Sequence, residues 1–249
     1  MSEATNARGQ LLAATARMAA SGLNKGTAGN LSVRAVENGQ PGFLITPSGM
    51  AYATLTPTDL VFMEMSGAYT SSRRPSSEWR FHRDIYAARP EAGAILHAHS
   101  PFATSLACLR RDIPPFHYMI ARFGGDTLRC AEYATFGTQA LSAAALAALQ
   151  DRRACLLANH GMLVFGRDLE QALDLGVELE ALCEQYWRAC QLGQPVLLDA
   201  AEMAVVLTSL PPTGSSRTRV DDPHQRASPA ARSSAGGLAD RCCRSPRHC

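Results

Sequence analysis

A chain of 249 residues with 46% hydrophobic content and a net charge of +2 is long enough to bury one substantial core. Residues 211–249 hold seven arginines against three acids, so the rest is slightly acidic and has no electrostatic claim on nucleic acid. No apolar run reaches membrane-spanning length and the N-terminus lacks the pattern of a secretion signal, so a cytoplasmic protein with no membrane partner is expected.

Residues 3–21 read as an opening helix ended by Gly22, followed by a glycine-rich turn, GTAGNLSVRA, that runs into an alternating strand. Gly42–Thr46 and Leu60–Met63 read as further strands of an antiparallel group. EWRFHRDIYAAR has helical spacing through Trp79, His82, Ile85 and Tyr86, closed by Pro90 and Gly93. The apolar strand AILHAH and a helix from Pro101 to Leu109 come next. Residues 111–135 are mixed, with FGG and YATFG as turns, and Gly137–Leu149 is an alanine-rich helix. ACLLAN and MLVFG are strands around an HG turn, and helices at Leu169–Leu192 and Asp199–Leu207 end the pattern. One sheet covered by helices follows, in α-β-α layers, with a body at 1–210 and a disordered tail at 211–249. CCRSPRHC in that tail is a poor metal knuckle, because adjacent cysteines do not readily point into one tetrahedral site.

Eight cysteines at irregular spacing suit a reducing compartment better than a disulfide scaffold in a chain this long. Cys108, Cys155, Cys183 and Cys190 sit in apolar or helical text and read as inert buried thiols. Lys25 is the only lysine and lies among Gly22, Asn24 and Gly26, with no apolar pocket to lower its pKa. Schiff-base catalysis is therefore disfavoured, and carbonyl chemistry should use a metal.

His97 and His99 carry the strongest chemical signal. If residues 94–99 form a strand, its two-residue period puts both imidazoles on one face with Ala98 on the other. Two imidazoles facing the same way suit a divalent cation. His160, between an apolar strand and Gly161, supplies a third at another strand end. Glu78 opens the helix that feeds the His97 strand, where a carboxylate can either bind the ion or take a proton. His82, four residues on, reads as a packed core histidine, and His117 beside Tyr118 has no assignment from spacing.

Three short segments suit an anion. Gly29-Asn30 offers close backbone approach and an amide donor, and Thr46-Pro47-Ser48-Gly49 offers a hydroxyl and free N–H groups at a turn. Pro75-Ser76-Ser77-Glu78 puts two hydroxyls at a helix start. Because the last segment ends on Glu78, a phosphate held there would bring the rest of a small substrate to the metal.

The segments KGTAGNLSVR, FLITPSGM, RPSSEWRFHRDIYAARPEAGAILHAHSPFATSLA, IPPFHYMIARFGG, YATFGT, ANHGMLVFG and LEQAL together resemble the class II aldolase and adducin family over roughly residues 5–208. Within it they are most similar to the fuculose-phosphate aldolases. The resemblance implies a three-layer fold with a largely antiparallel central sheet, and one zinc ion per subunit on Glu78, His97, His99 and His160. It implies that Gly29, Asn30, Ser48, Gly49, Ser76 and Ser77 hold the substrate phosphate. Glu78 is then the general base, and Tyr118 the proton donor in an adjacent subunit of a cyclic homotetramer.

The implied reaction is reversible cleavage of a ketose 1-phosphate, such as fuculose 1-phosphate, to dihydroxyacetone phosphate and an aldehyde. The alternatives are a ribulose-phosphate 4-epimerase, a methylthioribulose-phosphate dehydratase or deoxypentulose-phosphate aldolase, and an adducin-like interaction scaffold without catalysis. Those epimerases resemble PSSD where this chain has Ser77-Glu78, and they lack the HYMI tyrosine. The chain departs from the fuculose enzymes in two places. Its tail has no tyrosine to close over the site, and Asn159 precedes His160 where they resemble QHH, which would alter support of the metal.

Overall fold

The computed structural model describes residues 3–210; the tail at 211–249, with its expected disorder and its CCRSPRHC end, lies outside the described residues. Helix α1, Glu3–Ala20, buries Leu11, Ala14, Thr15 and Met18, the i, i+3, i+4, i+7 face of an amphipathic helix. Strands β1 (Asn30–Glu37) and β2 (Gln40–Ile45) form a hairpin. Asn38 and Gly39 connect them at φ 51° and 77°, the two-residue turn that matches strand twist. Strand β3 is Val61–Glu64.

Helix α2 (Trp79–Ala88) leads to β4 (Ala94–Ala98), and α3 (Pro101–Ala107) follows immediately. A 3-10 turn at Tyr118–Phe123 precedes β5 (Cys130–Ala131) and α4 (Gln139–Ala148). The remaining elements are β6 (Ala154–Leu157), β7 (Gly161–Gly166), α5 (Leu169–Leu192) and α6 (Ala200–Ser209).

The seven strands form one sheet in the order β3-β2-β1-β4-β7-β6-β5. Every pairing is antiparallel except β5 with β6, which α4 joins as a parallel crossover. Strand alternation divides the core between the two faces. Leu44, Leu96, Leu156 and Val164 pack with α1, α3 and α5, while Phe43, Ile45, Ile95, Leu157, Leu163 and Phe165 pack with α2 and α4. This is the expected three-layer α-β-α architecture.

The same alternation positions the chemistry. His97 shares the parity of Ile95 and so faces α2, its ring 5.5 Å from that of Phe81; Ala98 faces the other layer. Element boundaries shift by one or two residues from the sequence reading, and two of these shifts lie at the site. Strand β4 ends at Ala98 because Ser100 and Pro101 already start α3, and Glu78 is the residue before α2 rather than inside its first turn. Strand β5 went unpredicted, since two residues carry no period.

Candidate metal centre

Four side chains converge from three parts of the fold. Glu78 enters from the start of α2, His97 and His99 from the end of β4, and His160 from the turn between β6 and β7. One donor atom from each lies within 4.8 Å of all the others. Glu78 Oε2 is 3.1 Å from His97 Nε2, Glu78 Oε1 is 3.1 Å from His160 Nε2, and the Nε2 atoms of His97 and His99 are 2.9 Å apart. The three rings are mutually near-perpendicular, at 71–75°. A tetrahedral ion with metal–nitrogen bonds of about 2.0–2.1 Å separates its ligands by about 3.3 Å, close to this spacing.

The donor set fits a divalent cation on two further observations. His97 Nδ1 donates to the Met162 carbonyl at 2.9 Å, which leaves Nε2 as a bare lone pair aimed into the cluster. Glu78 Oε1 is buried and accepts no hydrogen bond, although His160 is at ion-pair distance. A buried carboxylate oxygen without a donor is costly unless a cation faces it. Burial raises the Glu78 carboxyl pKa, but His97 and His160 more than reverse this and hold it well below the usual carboxylate range. His99 is lowered to about 4, first by burial and then by His97 and His160, so its imidazole is neutral near pH 7 and ready to ligate.

Neighbouring groups fix the loops that carry these ligands. Gly29 adopts φ +74°, and a Cβ there would stand 2.6 Å from the His97 carbonyl and from Asn24 Nδ2. Only glycine lets β1 begin this close to the metal strand. Asn24 in turn donates to the Ala28 carbonyl and its Oδ1 accepts from the His99 N–H at 3.4 Å. Just beyond His99, the Glu180 carboxylate reaches from α5 to accept from Ser100 Oγ and the Phe102 and Ala103 N–H groups, at 2.6–2.9 Å, capping α3. Asn159 sits at φ 52° and its side chain accepts from Arg110 Nε at 2.6 Å, so its amide secures the turn and does not support a metal ligand directly.

The anion segments come together beside the metal cluster. Gly29, Asn30, Ser48, Gly49, Ser76, Ser77, Glu78, His99 and His160 line one cavity of about 180 Å³. The turns at Thr46–Gly49 and Pro75–Glu78 are stitched to each other. Pro47 bridges Pro75, Ser48 N–H donates to the Arg74 carbonyl at 3.0 Å, and Ser76 N–H donates to Thr46 at 3.0 Å. The expectation of free N–H groups is therefore corrected at Ser48, and the Ser76 N–H is likewise committed to the stitching, while the Ser76 hydroxyl accepts from the Glu78 N–H at 3.3 Å. Asn30 is also redirected, since its Nδ2 donates to Glu78 Oε2 at 2.9 Å.

Tyr118 does not line this cavity in its own chain; it is 51% exposed, next to His117, whose Nδ1 accepts from Met119 N–H at the start of the 3-10 turn. The sequence reading missed Thr27 and Phe136, which do line it. Phe136 is 66% exposed and reads in the sequence only as part of the YATFG turn; its aromatic ring beside Gly137 is the available signal. The cysteine expectation holds for Cys155 and Cys183, which are buried, and fails for Cys108 and Cys190, which are exposed at the end of α3 and near the end of α5. Lys25 is exposed, in keeping with the absence of a Schiff-base pocket. Among the described residues, no helix is long and apolar enough to cross a membrane.

Comparison with known proteins places this geometry in context. Residues 9–187 match the Class II Aldolase and Adducin N-terminal domain. A 5-methylthioribulose-1-phosphate/5-deoxyribulose-1-phosphate aldolase of Rhodospirillum rubrum is 55% identical over 197 residues, 79% of this chain and 87% of the relative. An L-fuculose phosphate aldolase of Escherichia coli is 44% identical over 199 residues, covering 80% and 91%. A solved L-fuculose 1-phosphate aldolase superposes with a TM-score of 0.78 at 39% identity, over 84% of this chain and 96% of that one.

Proposed function

Because the chain belongs to the class II aldolase and adducin family and gathers four metal-ligating side chains, we propose that it cleaves a 5-deoxypentulose 1-phosphate or its 5-methylthio analogue reversibly, using zinc. The products are dihydroxyacetone phosphate and a short aldehyde. The observation that carries this reading is that a four-donor cluster and two hydroxyl-bearing turns share one small cavity.

A divalent ion in the cluster supplies positive charge beside the carbonyl and hydroxyl oxygens on which negative charge accumulates when the C3–C4 bond breaks. The residues of the chain do the rest. Gly29, Ser48, Gly49, Ser76 and Ser77 hold the phosphate, with Asn30 at the boundary between this end and the metal. In the condensation direction Glu78 removes the proton from the carbon that becomes the nucleophile. Tyr118 of a neighbouring copy protonates the new hydroxyl oxygen, and cleavage reverses both transfers.

The exposure of Tyr118, and of Leu192 and Val196 at 93% and 91%, supports an assembly in which these groups are covered, a homotetramer in this proposal. Mixing a Glu78→Gln chain with a Tyr118→Phe chain should then restore activity that neither has alone.

One point favours the 5-deoxy substrates over fuculose 1-phosphate. The relative named for them shares 55% identity against 44% for the fuculose enzyme. Phe136 lines the same cavity with an apolar ring, which suits the methyl end that fuculose 1-phosphate and 5-deoxyribulose 1-phosphate share and so does not separate them. Dihydroxyacetone phosphate release should be measured from 5-deoxyribulose 1-phosphate, 5-methylthioribulose 1-phosphate and fuculose 1-phosphate. The expected result is a kcat/KM at least about tenfold higher for the 5-deoxy pair, the scale on which a pocket discriminates against one added group. Equal or better turnover of fuculose 1-phosphate would overturn the substrate assignment, and no release from any of the three would overturn the aldolase reading.

A further inference from the structure

Behind Glu78 runs a chain of buried polar side chains that the proposed chemistry does not use. Asn30 Nδ2 donates to Glu78 Oε2 at 2.9 Å, and Asn30 Oδ1 faces His82 Nε2 at 2.5 Å. His82 Nδ1 is 2.7 Å from Ser32 Oγ, which is 2.8 Å from the Tyr86 hydroxyl. Asn30, Ser32, His82 and Tyr86 are all at most 2% exposed, so each group must find its partner within this chain of contacts.

Donor rules fix the polarity from end to end. The carboxylate accepts only, so Asn30 must present its NH₂ to Glu78 and its carbonyl to His82. His82 must then carry its proton on Nε2. Its Nδ1 is left as an acceptor for the Ser32 hydroxyl proton, and Ser32 Oγ accepts from Tyr86. A neutral ring satisfies this pattern, and burial holds the His82 pKa down to about 3. An amide does not pass protons on, so Asn30 blocks a proton wire and the chain transmits orientation only.

We propose that His82 is a positioning residue for Glu78: by donating to Asn30 Oδ1, backed by Ser32 and Tyr86, it keeps the Asn30 amide turned toward the carboxylate and fixes where that carboxylate can move. Without the His82 donor the amide can rotate and set its carbonyl against Glu78, two acceptors facing each other. The periodicity that marked His82 as a core histidine is thus correct about burial and silent about this role.

The proposal rests on Glu78 being a metal ligand, and its test reads zinc affinity by chelator competition as well as turnover. His82→Leu removes the donor, whereas the amide of His82→Gln can replace it. The expected result is a zinc affinity lowered about tenfold to a hundredfold in His82→Leu, the range for groups that orient ligands, with kcat falling and KM within about twofold. His82→Gln should stay within about threefold of wild type on both readouts. In an Asn30→Leu background His82→Leu should cost nothing more, because its effect passes through Asn30; a merely structural role would add in full.

If His82→Leu does not fold, Ser32→Ala and Tyr86→Phe decide. The former frees the ring to take the other tautomer and should weaken zinc binding severalfold; the latter should do so less. The imidazole ¹⁵N spectrum of wild type should show His82 as the neutral Nε2–H tautomer. Equal behaviour of the Leu and Gln variants, full additivity with Asn30→Leu, wild-type affinity in folded Ser32→Ala, or an Nδ1–H tautomer would each overturn the proposal. A wild type that binds no zinc would instead sink the metal reading beneath it.

Discussion

The two halves of the cavity are built by different means. The side proposed for the metal consists of side chains whose ligand atoms are aimed by buried hydrogen bonds, from His97 to the Met162 carbonyl and from Asn30 to Glu78. The side proposed for the phosphate consists of turns tied to each other through Ser48 N–H to Arg74 and Ser76 N–H to Thr46, with serine and glycine residues lining the cavity. A cation needs a few atoms held at fixed separations, and rigidity there is worth more than number. An anion held at a surface-facing turn can exchange hydroxyls, N–H groups and water, so loss of one donor is partly absorbed.

That asymmetry can be broken at four points. Glu78→Gln, which keeps shape and removes the base, should lower kcat by about 10²–10⁴ with phosphate binding retained, as read by steady-state kinetics and phosphate competition. A variant with near-normal kcat would remove Glu78 from the proton transfer. Gly29→Ala forces a side chain into a left-handed position against the His97 carbonyl. It should destabilise the fold by about 1–3 kcal/mol in urea unfolding and weaken metal binding with it.

The third point is pH. His82 titrates near 6.5 in the unfolded chain and at about 3 when folded. As pH falls below 6.5 the unfolded state takes up the proton first, so stability present above that value is lost progressively toward 3. This group steepens the acid loss by about 1 kcal/mol per pH unit. Urea unfolding of His82→Gln between about pH 7 and pH 5 should be less acid-sensitive by that amount. An identical slope would show that His82 is charged or absent from the transition. The smallest effect is on the phosphate side. Ser48→Ala should raise KM about fivefold, near 1 kcal/mol, with kcat unchanged; a large fall in kcat would mean that the cradle also aligns the reacting end.

The sequence was most legible where one residue type carries the chemistry through a regular period. His97 follows from strand alternation, with His99 just past the strand end, and the His82, Ile85 and Tyr86 face follows from helical spacing. Glu78 and His160 could be nominated from their places at element ends, and the serines from turn composition. Contacts that depend on two distant backbones meeting were not legible. The Ser48–Arg74 and Ser76–Thr46 pairings, the redirection of the Asn30 amide and the Glu180 cap on α3 join residues with no local signature. The exposure of Cys108 and Cys190 was misread because an apolar neighbourhood in sequence does not say which side of a helix end meets solvent.

The central claim is that Glu78, His97, His99 and His160 together hold one divalent ion that the cleavage requires. Its most direct test is metal content, by elemental analysis, measured alongside release of dihydroxyacetone phosphate from 5-deoxyribulose 1-phosphate, before and after chelation and in His99→Ala. The account predicts one divalent ion per chain, activity that disappears with the ion and returns with added zinc, and neither full occupancy nor turnover in the variant. Undiminished cleavage by protein carrying no stoichiometric metal would contradict it.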